Sequence, residues 1–431
     1  MTSFSSYALY LAPLAILIGI YSRKRVAGEK QSYHSFDESV ESGMLEPPTL
    51  HPEFVLSSCI GSGSCVEACP EEAIGIINGK GTLIKPAVCI GHGACAVACP
   101  TQAIKLVFGT ATRGVDLPKV NPNFETNVPG IFIAGELGGM GLIRKAVEQG
   151  ARALEYIAKR PRGTPDLDLL IVGAGPAGIA ASLAAKKQGL KFITIEQEDS
   201  LGGTTYHYPR NKIVMTAPMN LPMIGKVKVR EISKESLMDL WKDVLAKAPL
   251  PIRYHERMED LRLEGKSFVV RTAKHSYRAA TVLLAIGRRG TPRKLGVPGE
   301  EQPKVVYRLI ESEQYRGKHV VVVGGGDSAL EAALDICAEP GTTVTLSYRG
   351  AAFSRVKLKN RERVAAAVAA RRLTVALETQ IASIGTSTIT ITKGKGVAKI
   401  PNDAVIVCAG GELPTPFLKK VGIQVEAHYG T

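Results

Sequence analysis

The chain has 431 residues, which at roughly 100–200 residues per domain allows two to four domains and a large buried core. Hydrophobic residues make up 45% and charged residues 22% of it, and this balance excludes a largely disordered or fibrous protein. The 54 basic residues exceed the 40 acidic ones. The resulting net charge of +14 suits an anionic partner, such as a phosphate-bearing cofactor or an acidic membrane surface.

The N-terminal segment is predominantly apolar. Residues 4–21 carry no charge, and three basic residues follow at 23–25. Eighteen uncharged residues are near the lower limit for a membrane-spanning helix, and Pro13 would kink it. We predict a single membrane anchor over residues 1–25, with a signal peptide or a docking helix as alternatives. The basic residues would leave the catalytic part on the cytoplasmic side of the inner membrane, joined by a polar linker at 26–50.

A repeated cysteine motif follows. The sequence CIGSGSCVEACPEEAI begins at Cys59, and CIGHGACAVACPTQAI begins thirty residues later at Cys89, with ten of sixteen positions identical. Such a local cluster in a chain otherwise poor in cysteine favours metal binding over a disulfide framework. Each copy is the bacterial iron–sulfur run C-x2-C-x2-C-x3-C-P without its second cysteine, which Ser62 and His92 replace. Residues 51–109 therefore resemble the dicluster bacterial ferredoxins, which implies a small α+β iron–sulfur domain.

The ferredoxin resemblance implies two clusters, because the last cysteine of each run ligates the other cluster. The implied ligands form two sets of three thiolates with one open corner each: Cys59, Cys65 and Cys99 with Ser62 at site 1, and Cys69, Cys89 and Cys95 with His92 at site 2. Three thiolates can hold a 3Fe-4S centre, or a 4Fe-4S centre whose fourth iron binds oxygen, imidazole or water. Both centres should be more oxidising than all-cysteine clusters. A domain that has lost its metal, or a zinc site, remains an alternative.

The first of two glycine-rich turns has the order of a dinucleotide-binding fold. The apolar strand 169–172 leads into GAGPAG and an alanine-rich helix, and a second strand, 192–195, ends at an acidic residue. Glycines at these positions let a pyrophosphate approach a helix N-terminus, and the acid binds a ribose hydroxyl. The predicted binding residues are Gly173, Gly175, Pro176, Ala177, Gly178 and Glu196.

The second glycine-rich turn, GGGDSA, follows the apolar strand 320–323. Its predicted binding residues are Gly324, Gly326, Asp327 and Ser328. The next apolar strand, 343–346, is followed three residues later by Arg349, where an acidic residue would bind the ribose of NADH. An arginine suits a 2′-phosphate, so we predict NADPH rather than NADH. The alternative is a solvent-exposed arginine beside an NADH site.

The segment LLAIGRRGTPRKLGVPGE lies between these two turns. With both turns in this order, residues 110–424 resemble the thioredoxin reductase branch of the two-dinucleotide-binding flavoproteins. That resemblance implies an α/β protein with a Rossmann-like FAD domain at 161–300, an inserted NAD(P)H domain at 301–412 and a return segment at 413–431. It also implies that Gly202, Gly203 and Thr204 border the flavin.

One family segment stands out of order. The sequence TNVPGIFIAGE, ending at Gly135 and Glu136, resembles a segment that covers the FAD at the end of family chains, yet here it precedes the first glycine-rich turn. We interpret this as a circular permutation, in which residues 110–160 supply the last part of the FAD domain. Close chain termini make such a rearrangement compatible with an unchanged fold.

The chemistry is predicted from what the reductase part lacks. Thioredoxin reductases need a C-x-x-C dithiol, which this sequence does not contain, and Cys337 and Cys408 are predicted core residues. We therefore predict a membrane-anchored enzyme that passes electrons between NAD(P)H, FAD, the clusters and a quinone, a cytochrome or a partner subunit, with flow either from NAD(P)H or toward NADP⁺. The hydride step needs no catalytic side chain. Nucleic acid is not expected as a partner, and a homodimer is allowed. A non-catalytic redox sensor or assembly subunit is the alternative.

Overall fold

The computed structural model describes residues 3–47, 50–111, 114–139, 141–161, 166–208, 212–215, 218–229, 231–288, 290–353, 356 and 358–430. The chain divides into two compact units. Unit 1 comprises Met1–Gly114 with Tyr429–Thr431, and unit 2 comprises Val115–His428.

Unit 1 contains the cysteine repeat. Its helices and strands are α1 Ser3–Glu41, β1 His51–Phe54, α2 Ser64–Glu67, β2 Ile74–Ile77, β3 Lys80–Leu83, α3 Ala94–Ala98 and β4 Ile104–Val107, with a 3-10 turn at Pro86–Val88. Strands β1 and β4 pair antiparallel, and β2 and β3 form a hairpin. Asn78 and Gly79 both have positive φ at the hairpin turn, as a two-residue type I′ turn requires. The repeat thus gives two similar halves, β1-α2-β2 and β3-α3-β4.

Helix α1 extends beyond the predicted anchor. The predicted linker, residues 26–50, is helical up to Glu41, and this half of α1 packs against β2. The Ile76 N–H donates to Ser32 Oγ at 3.3 Å, and Ser39 Oγ donates to the Ile84 carbonyl at 2.8 Å. Composition alone assigns these serines to a linker. In the structure they form hydrogen bonds that hold the helix against both halves of the ferredoxin-like repeat.

The predicted membrane anchor and membrane localisation are wrong. Among the residues that the structure describes, no helix combines the length and apolarity needed to cross a membrane. This finding overturns the anchor predicted at residues 1–25, of which 1 and 2 lie outside the described residues, and the inner-membrane localisation; it leaves the predicted membrane partner without support. The physical reason lies in α1 itself, since Pro13 and several serines and tyrosines interrupt an apolar stretch already shorter than the roughly 20 residues that a bilayer requires.

The first half of unit 2 contains the first glycine-rich turn. Its helices and strands are β5 Val115–Pro118, β6 Ile131–Ile133, α4 Ile143–Ile157, β7 Leu167–Val172, α5 Pro176–Lys187, β8 Phe192–Ile195, β9 Ile213–Met215, β10 Met219–Leu221, β11 Gly225–Val227, β12 Glu231–Ser233, α6 Lys234–Lys247, β13 Ile252–Arg253, β14 Met258–Glu264, β15 Ser267–Thr272, β16 Ser276–Leu284 and β17 Thr291–Pro292. Short 3-10 turns occur at Glu136–Gly138 and Gly203–Thr205.

Within the described residues, seven of these strands form one mixed sheet in the order β13-β8-β7-β16-β15-β14, with β6 also paired to β16. Strands β13, β8, β7, β16 and β6 run parallel, while β14, β15 and β16 form an antiparallel meander. The parallel strands are near-continuous runs of buried Leu, Ile and Val, as expected of a sheet covered on both faces.

The second half of unit 2 contains β18 Val305–Val306, β19 His319–Val323, α7 Asp327–Cys337, β20 Thr343–Tyr348, α8 Leu358–Ala369, β21 Leu373–Leu377, β22 Gln380–Ile384, β23 Thr388–Lys393, β24 Gly396–Pro401, β25 Ala404–Val407, β26 Gly411–Glu412, α9 Thr415–Lys420 and β27 Val425–His428, with a 3-10 turn at Glu313–Tyr315. The described strands form a parallel sheet ordered β18-β25-β19-β20-β21 and a meander β22-β23-β24. Strand β27 returns to pair antiparallel with β5.

Candidate functional site

The first glycine-rich turn joins β7 to α5 so tightly that side chains would not fit. Gly173 has φ 107°, and a Cβ there would lie 2.5 Å from the Ala285 carbonyl oxygen. A Cβ on Gly178 would lie 1.8 Å from the Gly173 carbonyl oxygen, so this glycine lets the helix close onto the strand. Helix α5 then begins at Pro176, a residue whose fixed φ favours the first helical position. The turn therefore presents a helix N-terminus framed by backbone, as a pyrophosphate site requires.

A second glycine pair faces this turn. Gly202 N–H donates to the Ala174 carbonyl at 2.9 Å, and Gly202 has φ 105°. A Cβ on Gly203 would lie only 3.1 Å from the Gly175 Cα. The structure thus brings Gly202, Gly203 and the adjacent Thr204 to the same side of the sheet as the first turn, and the room between the two backbones depends on glycine.

Glu196 lies at the end of β8 and is 5% exposed. Its carboxylate accepts hydrogen bonds from the Ala174 N–H at 2.7 Å and the Glu198 N–H at 3.1 Å. Burial raises the pKa of Glu196, and the two backbone donors oppose that shift. The carboxylate is therefore held against the glycine-rich turn, at the position where the fold would present it to a ribose.

The out-of-order segment occupies the same region. Strand β6 pairs parallel with the C-terminal half of β16, so that Ile131 lies opposite Val282. Directly after this strand, the Gly135 N–H donates to Gln149 Oε1 at 2.8 Å, and a Cβ on Gly135 would lie 3.0 Å from the Ala177 Cβ. Half-buried Glu136 follows at the start of a 3-10 turn. Gly135 and the first glycine-rich turn are therefore neighbours in space although the chain separates them.

The second glycine-rich turn joins β19 to α7. Gly324 has φ 149°, and a Cβ there would lie 2.4 Å from the Cys408 carbonyl oxygen, whereas a Cβ on Gly326 would meet nothing within 4 Å. Asp327 begins α7 and accepts a hydrogen bond from Asn360 Nδ2 at 2.8 Å, and Ser328 is exposed. The open space at Gly326, next to a helix N-terminus, fits an anionic group.

Arg349 follows β20 and is exposed. Sequence reasoning missed its neighbour Tyr348, whose ring stacks on Phe353 with centroids 5.5 Å apart and an interplanar angle of 17°. A Cβ on Gly325 would lie 2.2 Å from this tyrosine ring. The position of an aromatic residue just before Arg349 is visible in the sequence, but its contact with the glycine-rich turn depends on the fold.

The cysteines of unit 1 form two groups across the repeat. Gly63 and Gly93 have φ of 81° and 73° and precede the short helices that carry the middle cysteine of each copy. One small cavity is lined by Ser62 and by three cysteines: Cys59, Cys65 and Cys99. The other three cysteines interact electrostatically with one another: Cys69, Cys89 and Cys95. His92, beside the second group, is half-buried.

The thiols differ in the direction in which their surroundings shift the pKa. Burial raises the pKa of Cys65, where nearby Cys59 adds to the effect, and burial raises the pKa of Cys95 to about 11. For Cys99, slight burial acts to raise the pKa, but hydrogen bonds from the Thr101 side chain and from neighbouring backbone N–H groups outweigh it and lower the pKa. The Ala103 N–H donates to Cys99 Sγ at 3.2 Å, and the corresponding Ala73 N–H donates to Cys69 at 3.4 Å.

The donor set fits an iron–sulfur cluster. Backbone N–H groups directed at cysteine sulfurs, within an apolar core, are the surroundings that such clusters have in proteins. Across the described residues, no three His, Cys, Asp or Glu side chains converge closely enough to share one metal ion. The thiolates of a cubane cluster bind different irons, so the spacing of the cysteines is compatible with a cluster.

Together, the two dinucleotide folds and the cysteine module define a flavoprotein reductase fold with a ferredoxin-like iron–sulfur domain. Residues 170–430 match the family model described as pyridine nucleotide-disulphide oxidoreductase, and residues 51–100 match a 4Fe-4S dicluster domain. The chain belongs to the pyridine nucleotide-disulphide oxidoreductase family.

Individual relatives agree with this assignment. The chain is 30% identical to a ferredoxin–NADP reductase of Ignicoccus hospitalis over 60% of this chain and 82% of that protein. It is 26% identical to a bacilliredoxin reductase of Bacillus subtilis over 61% of this chain and 82% of that protein. The solved bacillithiol disulfide reductase of Bacillus cereus superposes with a TM-score of 0.54 at 26% identity, over 60% and 82% of the two chains. These findings confirm the predicted enzyme class, an NAD(P)H-dependent, FAD-containing oxidoreductase.

Proposed function

We propose that this protein transfers electrons from NADPH through FAD and two iron–sulfur clusters to a one-electron acceptor protein of the ferredoxin type. The observation that carries the proposal is the pairing, in one chain, of a flavoprotein reductase fold with six cysteines in two groups of three. A relative named ferredoxin–NADP reductase supports the class of acceptor.

A disulfide substrate is disfavoured by the cysteine positions. Among these relatives is a bacilliredoxin reductase, and related single-thiol enzymes would carry a cysteine in the first glycine-rich turn, where this chain has Pro176 and Ala177. Cys337 is 6% exposed on α7, as predicted for a core residue. Cys408, also predicted as core, is half-buried just after β25. Neither thiol is next to the first turn in sequence or in the sheet, which favours the iron–sulfur module as the route for the electrons.

The electron balance explains why both cofactor types are needed. NADPH gives up a hydride, which is two electrons with one proton, whereas each ferredoxin-type acceptor takes one electron. FAD, when bound, supplies this two-electron to one-electron conversion. The backbone N–H groups at the N-terminus of α5, with Gly203 beside them, would hold its pyrophosphate, and Glu196 would bind a ribose hydroxyl. Two acceptors are reduced for each NADPH oxidised, and the remaining proton leaves to solvent.

Two details of the nucleotide sites belong to the proposal. Arg349 is exposed beside the second turn, and a guanidinium there would pair with the 2′-phosphate of NADPH. The contact between Gly135 and Ala177 supports a circular permutation, with residues 110–160 completing the FAD domain of residues 161–300 and residues 301–412 forming the NADPH domain. We assign residues 413–431 as the return to the FAD domain.

For the clusters, we propose the ligand sets of sites 1 and 2 given above, with Ser62 and His92 at the open corners. Cysteine at either corner would restore four thiolates and add negative charge at the metal. We expect Ser62→Cys to make only cluster 1 harder to reduce and His92→Cys only cluster 2. Electron paramagnetic resonance (EPR) during a redox titration measures both potentials. If both variants leave spectra, potentials and iron content unchanged, the crosswise ligand sets are wrong.

The function is tested by reducing the anaerobic protein with NADPH, NADH or dithionite, while flavin absorbance and EPR signals are followed. NADPH should bleach the flavin faster than NADH does and should then reduce both clusters. If NADPH bleaches the flavin while only dithionite reduces the clusters, the proposed electron route is wrong. If NADPH reduces all centres but no ferredoxin-type acceptor turns over, a redox sensor is favoured instead. As a matched control, Cys337→Ala and Cys408→Ala should leave the turnover unchanged, since no dithiol takes part.

A further inference from the structure

The internal repeat allows the surroundings of the two cluster sites to be compared position by position. The residue after each Cys-Pro pair is Glu71 in the first copy and Thr101 in the second. Glu71 acts electrostatically on Cys89, which belongs to site 2. Thr101 lines the cavity of site 1, and its hydroxyl oxygen lies 3.7 Å from Cys99 Sγ. At equivalent positions, an acid therefore faces site 2 and a neutral hydroxyl faces site 1.

Two cations flank site 1. The Arg25 guanidinium lies 3.7 Å from the position that a Cβ would take on Gly61, in the loop between the first two cysteines of site 1. It is equally near the adjacent hairpin turn, 3.8 Å from the corresponding position on Gly79. Lys80 Nζ donates to the Cys59 carbonyl at 2.6 Å. Helix α1 thus brings a positive charge to the loop of one cluster site, a contact that its place in the sequence does not reveal.

The contacts of the cysteine sulfurs also differ between the two sites, and again the surroundings of site 1 are more favourable to negative charge. The Gly81 N–H donates to Cys59 Sγ of site 1 at 3.4 Å. Cys89, the repeat equivalent in site 2, also has a backbone hydrogen bond, from Gly91, but the Leu50 carbonyl oxygen lies 3.9 Å from its sulfur and it is only 9% exposed, whereas Cys59 is half-buried. N–H donors reach sulfurs of both sites, so the two sites differ in their charges, in the carbonyl and in burial. Positive charge stabilises the reduced, more negative cluster, while a carboxylate, a carbonyl and burial disfavour it.

We propose that these surroundings make cluster 1 the centre of higher reduction potential, at which electrons collect and from which the acceptor is reduced. This inference rests on the proposed function for the direction of flow, but the order of the potentials depends only on the residues around the two sites. In this proposal, Glu71, Thr101 and Arg25 set the electrostatic surroundings of the clusters and do not bind the iron.

The test is an equilibrium redox titration with a chemical reductant, monitored by EPR, on the full chain with both clusters bound. Exchange variants use the repeat: Glu71→Thr should raise the potential of cluster 2 alone, and Thr101→Glu should lower that of cluster 1 alone. Arg25→Gln should also lower the potential of cluster 1. Glu72→Gln removes an acid at a position where the second copy has Gln102, and it should shift cluster 2 less than Glu71→Thr does.

The variant His92→Ser gives both sites the same corner residue. Any difference in potential that remains then comes from the other residues around the clusters. Cluster 1 should keep the higher potential in this background. The inference is overturned if cluster 2 has the higher potential there, if the exchange variants leave both potentials unchanged, or if the purified protein cannot hold iron. If the order is as expected but NADPH reduces neither cluster, the proposed function fails while the order of potentials stands.

Discussion

The contact between α4 and α5 gives a sharp test of the FAD site, because α4 follows the out-of-order segment and α5 begins in the first glycine-rich turn. Gly150 of α4 has no side chain, and a Cβ there would lie 2.1 Å from the Ala177 carbonyl oxygen. For Gly150→Ala, the helices must separate by about 0.9 Å merely to reach 3.0 Å, a distance that real Cβ atoms seldom undercut. Overpacking of this kind costs about 1–3 kcal/mol, against a gain of about 1 kcal/mol from the helix propensity of alanine.

Because Ala177 belongs to the turn itself, the separation should also weaken FAD binding. Thermal unfolding and the ratio of FAD to protein after purification measure the two effects. Gly28→Ala is the matched control, since Gly28 lies within α1 and a Cβ there would meet no atom within 4 Å. That variant should gain about 0.5–1 kcal/mol and keep its FAD. If Gly150→Ala is equally stabilising and retains FAD, α4 and α5 do not meet as described.

Three further expectations concern other parts of the chain. Arg349→Ala should raise the KM for NADPH about 10- to 100-fold in steady-state assays and leave that for NADH unchanged, because one charge-assisted hydrogen bond is lost. Burial acts to raise the pKa of Glu300, but hydrogen bonds from the Leu295 and Gly296 N–H groups and from a tyrosine outweigh it and lower the pKa. Its stabilising effect is thus present above the ordinary pKa of 4.5 and lost as pH falls through the lower folded value. Glu300→Gln should cost about 2 kcal/mol near neutral pH, and urea titrations should show a smaller loss of stability on acidification than in the parent. Cys95→Ser should remove cluster 2, seen as lost iron, while FAD content stays the same.

The glycine-rich turns were predictable because their geometry is local. Strand β8 has the predicted bounds Phe192–Ile195, and β7 begins at Leu167, two residues before the predicted start. Strand β20 extends to Tyr348, beyond the predicted end, because Ser347 and Tyr348 continue the pairing with β21. What the pattern could not supply is the packing of Tyr348 over the turn, since that contact joins two strand ends that are distant in sequence.

Helix α1 shows where local pattern misleads. Its apolar first part and charged second part predict an anchor followed by a linker, because the hydropathy of a segment does not record the segment's contacts with distant residues. The second part nevertheless holds its helix by contacts that composition does not record, including Ser32 beside Gly75, where a Cβ would lie 2.5 Å from the serine hydroxyl. Gly75 on the strand and Ser32 on the helix form this contact together, and neither residue alone predicts it from the sequence.

The out-of-order segment illustrates the opposite case, in which motif identity is more informative than chain order. A parallel strand is specified by the neighbour it pairs with, here β16 beside β6, and by the residues that leave its C-terminal end, here Gly135. Neither property depends on whether the connection reaches the strand from an earlier or a later part of the chain. The sequence can therefore predict that this segment lies in the FAD-domain sheet beside the first glycine-rich turn. Moving the segment to the front changes the covalent neighbour of the flavin domain, and in this chain that neighbour is the iron–sulfur module. The proposed permutation thus has a direct physical consequence, because it joins the FAD-covering segment to the domain that would carry the electrons away.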